Sequence, residues 1–390
     1  MTSSILSDPT RHEPLADRPW DEARARDGIA AIGRDADSAF DRAALWPLHP
    51  RDDEPGTPPV LRGIYLGAAG MLHGLARLAE AGVYEPALDL ARVASGLRAE
   101  PDEEGAGASL LAGSSGILLV AHRLAPSAAL ADALADAIAA HAGHPANELL
   151  YGTPGTMLAA RATYERTGEE RFAALWRASA GELLARRDAD GLWTQEIGSW
   201  RPRALGAAHG FAGNVRAVLG APEWLEDAAE VESRAVATLH AFALRDGDGG
   251  VNWAPKADER ETDRVQWCHG APGMASSLAA LARGDDSVGA LLTAGGELTW
   301  RTGPLARDAG LCHGTAGNGF AFLALLERTG DERWLARARG FAMHALAQVE
   351  RFRAADGRGR YALFTGDIGA ALLAAACLRG EGGFPGVDDL

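Results

Sequence analysis

The sequence is poor in cysteine, and this excludes one class of protein. Its 390 residues include 3 cysteines, an odd number that is too small for the disulfide framework of a small secreted domain. Where thiols stay reduced, cysteines close to histidines indicate a metal site or catalysis instead. Two of the three, Cys268 and Cys312, are each followed directly by a histidine. We therefore expect these two thiols to be functional.

The sequence also lacks an excess of positive charge and a long apolar run. The formal net charge is -15 at pH 7, and no basic cluster offsets it, so a nucleic-acid partner is not expected. The chain does not start with a basic segment followed by an apolar core, and no apolar stretch reaches membrane-spanning length. These absences predict a soluble, cytoplasmic protein without a membrane span.

Glycine, by contrast, is plentiful and recurs in a regular pattern. The spacing Gly-x-x-Gly occurs seven times just ahead of an apolar, helix-forming run, with the first glycines 39 to 60 residues apart. Intervals of this size are typical of a repeat made of two helices. The first glycines of the seven pairs are Gly67, Gly113, Gly152, Gly210, Gly270, Gly314 and Gly366.

The segments on either side of the glycine pairs predict the fold. Amphipathic segments precede the pairs, and shorter segments with almost no charge follow them. Seven inner and seven outer helices can bury the inner layer completely only by closing into a ring. We therefore predict an all-α fold, an α/α toroid (double α-barrel), as a single domain over residues 21–390. Residues 1–20 are expected to form a loosely held arm. The preceding segments lie at about 21–45, 85–100, 127–143, 171–188, 223–244, 285–302 and 332–353.

The residue before each first glycine indicates where the chemistry lies. In three consecutive repeats this residue is a histidine, namely His209, His269 and His313, and Cys268 and Cys312 precede the last two. Equivalent positions of neighbouring repeats lie side by side on one rim of a ring, so we expect these side chains to cluster. Each stands close to the N-terminus of an inner helix, where the helix dipole favours a thiolate.

Two thiolates and an imidazole are a ligand set typical of Zn²⁺. Three protein ligands leave the fourth position open, as in catalytic sites. Two thiolates cancel the charge of the metal, so a substrate thiol would be deprotonated there and yet remain nucleophilic. A purely structural zinc site is the main alternative for Cys268 and Cys312, whereas Cys377 is expected to be an ordinary core residue.

Several of these motifs resemble those of one known family. They are similar to motifs of the lanthionine synthetase C-like (LanC-like) family, and the resemblance extends over all seven repeats. The N-terminal arm lacks a kinase or lyase motif, so we expect a stand-alone member of the family with a separate dehydratase as a possible partner. The alanine- and arginine-rich, lysine-poor composition favours a bacterial source. The motifs are AHGFAGN from Ala208, WCHGAPG from Trp267 and LCHGTAGN from Leu311, together with ELLYGTPG from Glu148.

The resemblance also implies a reaction and its metal. Zinc would be bound by Cys268, Cys312 and His313. In the cyclases of this family, zinc activates a peptide cysteine for Michael addition to dehydroalanine or dehydrobutyrine, which gives lanthionine or methyllanthionine. Mammalian members instead add glutathione to dehydroamino acids in damaged proteins. The expected substrates are therefore a dehydrated precursor peptide, or a thiol and a dehydroamino acid.

Four further residues acquire roles from the same resemblance. His209 matches the acid/base histidine of the family, and Arg264 matches an arginine near the metal, although it could equally be a solvated loop charge. His269 stands where several bacterial cyclases have tyrosine, and it could donate a proton there. Glu148 stands where nisin-type cyclases have aspartate. Its longer carboxylate could orient His209, or it could cap a helix.

Two functions from different classes follow from these residues. The first is a zinc-dependent enzyme that adds a thiol to a dehydroamino acid, and the second is a non-catalytic, peptide-binding scaffold subunit. The ligand trio together with His209 favours catalysis, because a binding module has no need of an open metal position. A toroidal glycosidase or terpene cyclase would require paired carboxylates or an Asp-rich motif. The turns that contain the glycine pairs, called the glycine turns from here on, offer thiols and imidazoles instead.

Overall fold

A computed structural model describes residues 5–103, 105–197 and 199–390. Within these residues, fourteen α-helices alternate along the chain between an outer and an inner layer. The outer helices are α1 (Glu22–Ala39), α3 (Leu90–Ser95), α5 (Ala128–His141), α7 (Glu170–Ala185), α9 (Ala228–Ala241), α11 (Asp286–Thr302) and α13 (Arg333–Asp356). The inner helices are α2 (Ala68–Glu80), α4 (Ser114–Leu124), α6 (Thr153–Thr167), α8 (Phe211–Val218), α10 (Ala271–Leu278), α12 (Thr315–Thr329) and α14 (Asp367–Arg379).

The prediction of an all-α toroid with seven inner and seven outer helices is confirmed within the described residues. Helix α1 packs against α14, and α2 also contacts α14, so the last repeat meets the first and the ring closes. The short antiparallel strands β1 (Leu244–Arg245) and β2 (Val251–Asn252) pair in the connection between α9 and α10. Among the described helices, none combines the length and the apolar character that crossing a membrane requires.

Outer helix α3 is much shorter than the predicted segment 85–100. It begins after Asp89, whose carboxylate accepts a hydrogen bond from the Arg92 backbone N–H, and it ends at Ser95, directly before Gly96. An aspartate at an N-cap and a glycine just past the last turn are strong start and stop signals for a helix. The apolar periodicity of the segment therefore overestimated the length of this helix.

In six of the seven pairs, all except the last, the second glycine packs closely against a backbone carbonyl oxygen. A Cβ atom added to Gly273 would lie 1.9 Å from the carbonyl oxygen of Trp267, and one added to Gly317 would lie 1.8 Å from that of Leu311. Contacts this short exclude any side chain. Gly273 and Gly317 therefore pack against the carbonyl groups directly before Cys268 and Cys312. The repeat pattern itself thus positions both thiols.

The N-terminal residues are not a loosely held arm, so that expectation was wrong for the part that the structure describes. Residues 1–4 of the predicted arm lie outside the described residues. The carbonyl of Leu6 accepts a hydrogen bond from Asn252 Nδ2 at 2.7 Å, and its side chain is buried against Val265 and Leu298. The Arg11 carbonyl accepts a hydrogen bond from the Ala306 N–H at 3.0 Å. These backbone and side-chain contacts fasten the segment to the loops that carry the two cysteines.

Residues 384–390 occupy the end of the inner barrel that is opposite the glycine turns. Arginines in the last turns of inner helices α2, α4, α6 and α8 bind this segment. Above these contacts, the Phe384 ring stacks on Trp267 with a centroid distance of 4.4 Å. The segment thus fills the barrel beneath the residue that precedes Cys268. The contacts are Arg77 and Arg123 with Asp389, Arg166 with Leu390, and Arg216 with Asp388.

Candidate metal centre

The three predicted metal ligands form one cluster on the rim of the inner barrel. One potential ligand atom each from Cys268, Cys312 and His313 lies within 4.8 Å of the other two. Both cysteines are free thiols and nearly fully buried. They come from the turns before α10 and α12, and the Cys268 N–H donates a hydrogen bond to the Cys312 carbonyl at 3.2 Å. Two sulfurs and one nitrogen at this separation fit a zinc ion with an open fourth position.

The two thiols differ in acidity because they share a hydrogen bond. The Cys312 thiol, together with His313, stabilises the Cys268 thiolate and lowers the pKa of Cys268 well below its usual value. Gln266 Nε2 also donates a hydrogen bond to Cys268 Sγ at 2.9 Å. The amide oxygen of Gln266 in turn accepts a hydrogen bond from Arg11 at 3.1 Å. The N-terminal segment therefore helps to hold the donor that faces the sulfur.

A buried carboxylate orients the imidazole of the cluster. Asp308 Oδ2 lies 3.4 Å from Nε2 of His313 and 3.4 Å from Nη1 of Arg360, and Asp308 Oδ1 accepts a hydrogen bond from the Gly310 N–H. Arg360 is itself paired with Asp52, with 2.7 Å between Nε and Oδ2. A carboxylate on one imidazole nitrogen fixes the ring and leaves the other nitrogen for a metal. Asp308 is thus a positioning residue for His313.

This arrangement predicts that Asp308→Asn weakens zinc binding. Asparagine keeps an oxygen for the Gly310 N–H but removes the charge beside His313, and losses of this kind cost about 10- to 100-fold in metal affinity. Competition with a chromophoric chelator measures the change. Asp52→Asn is the matched control, because it also removes a carboxylate from Arg360 but none from His313. Equal zinc affinities of the two variants would contradict the role of Asp308.

His209 and Glu148 form a second group on the same rim. Nδ1 of His209 lies 2.8 Å from Oε2 of Glu148, whose carboxylate is fully buried and also accepts hydrogen bonds from the backbone N–H groups of Leu150 and Tyr151. Burial alone would lower the pKa of His209, but the hydrogen bond and charge of Glu148, together with Cys268, outweigh it, so the pKa is raised. Glu148 therefore holds His209 so that Nε2 is left for a substrate.

His269 and Arg264 lie beside this pair. The rings of His209 and His269 stack with a centroid distance of 5.9 Å. Burial lowers the pKa of His269, and the charges of His209 and Arg264 act in the same direction. Arg264 is half-exposed, with its Nε 3.6 Å from Asp263. The structure thus brings together all seven predicted site residues around one end of the barrel. Backbone geometry shapes the same place, because Gly270 has a φ of +118°, a conformation that favours glycine.

The sequence as a whole, and not only these site residues, identifies the family of the protein. The model of the family "Lanthionine synthetase C-like protein" matches residues 59–387. The chain belongs to this family. The cysteines and histidines described above therefore lie on the rim of a LanC-like toroid.

Curated relatives of this LanC-like protein match it over part of their length. LanC-like protein GCL1 of Arabidopsis thaliana is 32% identical over 178 residues, which cover 44% of this chain and 40% of that protein. Glutathione S-transferase LANCL1 of Danio rerio is 27% identical over 215 residues, 51% of each chain. The chain thus aligns with about half the length of these relatives or less.

A solved structure supports the fold of the LanC-like toroid. Nisin cyclase superimposes with a TM-score of 0.58 at 15% identity, over 81% of this chain and 88% of that one. At this identity the similarity concerns the fold alone. It agrees with the ring of paired helices described above.

Sequence reasoning missed three residues that support the LanC-like site. Asp308, Gln266 and Arg11 carry no repeat signal, since none stands at a fixed offset from a glycine pair in the other repeats. Asp308 lies five residues before His313, so a carboxylate close to a ligand histidine was the one available signal. Arg11 is 255 residues from Gln266, and nothing local in the sequence indicates their contact.

Proposed function

We propose that this protein is a zinc-dependent enzyme that adds a cysteine thiol to dehydroalanine or dehydrobutyrine in a modified peptide. The observation that carries the proposal is the position of His209, with Glu148 behind it, on the same rim as the open cluster of Cys268, Cys312 and His313. A scaffold protein would need neither a three-ligand cluster nor an oriented imidazole. Family membership supports an enzymatic function, because a relative that the chain matches, LANCL1 of Danio rerio, carries the name of an enzyme, glutathione S-transferase.

The residues of the rim divide the reaction between them. When bound by Cys268, Cys312 and His313, zinc would lower the pKa of the substrate thiol, so that the thiolate forms at neutral pH. The sulfur forms a bond to Cβ of the dehydroamino acid, and the electron pair of the double bond moves to Cα and the adjacent carbonyl. A proton delivered to Cα completes the thioether. Nothing is oxidised or reduced, and no group leaves except the proton of the thiol.

His209 is the proposed proton donor to Cα. Its Nδ1–H is held by Glu148, so Nε2 is the nitrogen that can face the substrate. The raised pKa of His209 keeps its imidazole protonated at a higher pH than a free imidazole. Arg264 and His269, which lie beside His209, are proposed to stabilise the negative charge that develops on the acceptor carbonyl before Cα is protonated.

Replacing His209 by glutamine should lower turnover and leave zinc in place. A positioned general acid contributes about 10²- to 10⁴-fold, and His209 is not among the ligands of the cluster. The rate of thiol loss in a dehydrated peptide, followed by mass spectrometry, and the zinc content measure the two effects. Unchanged turnover would remove His209 from the mechanism, and a loss of zinc would make it a ligand.

Glu148→Gln should shift the pH dependence of turnover to lower pH. The carboxylate raises the pKa of His209, so a neutral amide at the same place lets that pKa fall. A general acid works while it is protonated, so the alkaline limb of the rate profile should move down in pH. Rates measured across the neutral range for both proteins test this. A parallel loss of rate at every pH would mean that Glu148 has a structural role only.

Glutathione is the second candidate thiol, and one observation favours it. A relative from Danio rerio carries the name glutathione S-transferase, although the match covers 51% of that protein. Incubation of two dehydrated peptides, one that contains a cysteine and one that lacks it, each with and without glutathione, distinguishes the two functions. Formation of a glutathione adduct at a rate similar to ring closure would favour the glutathione reaction. Ring closure without adduct formation would favour the cyclase.

The proposed reaction also implies a partner and a compartment. The acceptor residues must first be formed by dehydration, and we propose that a separate dehydratase does this. The two thiols of the cluster must stay reduced to bind metal, which suits the cytoplasm.

A further inference from the structure

A cleft lies on the rim beside His209, outside the thiol cluster. Its volume is about 680 Å³, within the range of ligand-binding clefts. Neither His209 nor any residue of the Cys268, Cys312 and His313 cluster lines it. A ligand in the cleft that also reaches His209 and the thiol cluster must therefore extend beyond the cleft. Its lining includes one tryptophan and four cationic side chains, namely Trp200, Arg201, Arg203, Lys256 and Arg260.

The two walls of the cleft are the loops that carry the candidate catalytic residues. One loop runs from α7 to α8 and ends at His209, and the other runs from α9 to α10 and contains Cys268. The Leu205 N–H donates a hydrogen bond to the Pro255 carbonyl at 3.1 Å, and the Ala257 N–H donates one to the Arg203 carbonyl at 2.9 Å. These two hydrogen bonds tie the two walls of the cleft to each other.

Trp200 joins the cleft to His209. Its ring meets the His209 ring edge-on, with centroids 6.3 Å apart and an angle of 83° between the planes. Trp200 is 42% exposed, and among the described residues only it and Ile5 are large hydrophobic side chains with such exposure. An exposed tryptophan at a cleft offers a rigid apolar surface with little entropic cost to a partner.

The charge of the cleft is opposite to that of the whole protein. Four cationic side chains and two carboxylates, Asp190 and Asp258, line it, whereas the chain carries a net charge of -15. Arg203 is paired with Asp188 and Asp190, Arg201 with Glu196 and Lys256 with Glu259. The last two pairs are exposed, so they contribute little energy, and carboxylates of a partner can replace Glu196 and Glu259. Arg260, by contrast, hydrogen-bonds to the backbone carbonyls of Ala257 and Glu259. A cationic site in an anionic surface selects anionic partners.

We propose that this cleft binds an extended, acidic segment of the peptide substrate, next to the residues that react. The aromatic surface of Trp200 and the cations of Arg201, Lys256 and Arg260 suit a chain with carboxylates and an apolar side chain. The inference rests on the proposed function only in taking the substrate to be a peptide. The cleft would hold that peptide while its reacting residues reach His209 and the thiol cluster.

Binding of two synthetic peptides tests the proposal. One is a fluorescein-labelled peptide with a single dehydroalanine beside several aspartates, and the other has asparagine at those aspartates. The zinc-loaded protein should bind the aspartate peptide more tightly, and added salt should weaken that binding. Lys256→Glu combined with Arg260→Glu should weaken it by about tenfold, since two exposed charges become repulsive. Arg98→Glu, at a side chain that is 77% exposed and does not line the cleft, should have no effect.

The only lysine of the sequence gives a second, local measurement. Lys256 lines the cleft and can be acylated by an amine-reactive ester, and mass spectrometry separates it from the α-amino group. The aspartate peptide should slow acylation of Lys256, and the asparagine peptide should not. Equal binding of both peptides, or protection of Lys256 by glutathione but not by the peptide, would overturn the proposal.

Neither measurement requires turnover, so the two proposals fail separately. Selective binding of the aspartate peptide in the cleft without any thioether formation would refute the proposed function and support the cleft. Thioether formation with equal affinity for both peptides would support the function and refute the cleft.

Discussion

Replacement of Cys268 by alanine is expected to remove bound zinc and to lower thioether formation by about a thousandfold or more. The cluster offers three potential ligands, so the loss of Cys268 leaves only Cys312 and His313. Metal activation of a nucleophile is worth several kcal/mol, and each 1.4 kcal/mol is about tenfold in rate. Zinc content by elemental analysis and the rate of thiol loss from a dehydrated peptide measure the two changes.

Cys377→Ala is the matched control for this experiment. Cys377 is also a fully buried free cysteine, but it lies in the inner helix α14 and is not part of the cluster. We expect one zinc per chain and normal turnover in that variant. Cobalt substitution adds a spectroscopic test. The thiolate-to-cobalt charge-transfer band should be absent from the Cys268→Ala variant and present in the Cys377→Ala variant. Full zinc content after Cys268→Ala would contradict the ligand assignment.

The fold was predictable because one pattern is repeated seven times. The second glycines of the pairs are needed where carbonyl groups such as those of Trp267 and Leu311 press against the helix. The same requirement places Cys268 and Cys312 at equivalent positions of neighbouring repeats. The repeat that requires the glycines thus also fixes the positions of the cysteines. For this reason one spacing in the sequence predicted both the closed ring and the cluster on its rim.

The remaining site residues depend on contacts that no repeat specifies. Trp200 and Asp308 belong to connections that vary in length and sequence between repeats. The hydrogen bond from Arg11 to Gln266 joins residues at distant places in the chain. Hydrophobic periodicity reports which face of a helix is buried, and it does not report which loops meet above the barrel.

The last repeat and the site are coupled through aromatic packing. Phe384 stacks on Trp267, and both rings also contact Phe364, which lies two residues before Gly366. The Phe364 carbonyl accepts hydrogen bonds from the N–H groups of both Leu311 and Cys312, each at 2.8 Å. The backbone on each side of the thiol pair is therefore supported by the same aromatic cluster inside the barrel.

Phe384→Ala should for this reason lower the free energy of unfolding by about 3–5 kcal/mol, the usual cost of removing a buried aromatic ring. Phe384 is almost fully buried, and its ring packs between Trp267, Phe320 and Phe364. Folded proteins are stable by only about 5–15 kcal/mol, so the loss is a large part of the total. Urea unfolding of the zinc-loaded protein, followed by circular dichroism, measures it.

Ile5→Ala is the control for this change, because Ile5 is 60% exposed and its backbone carbonyl, which accepts the Thr262 N–H, is unaffected. Exposed substitutions of this kind usually change stability by less than about 0.5 kcal/mol. Removing the ring also takes away the support beneath Trp267, so the loop of Cys268 should loosen and release zinc faster to a chelator. A Phe384→Ala variant as stable as Ile5→Ala would show that residues 384–390 do not support the barrel. Destabilisation without faster zinc release would separate the aromatic cluster from the metal site.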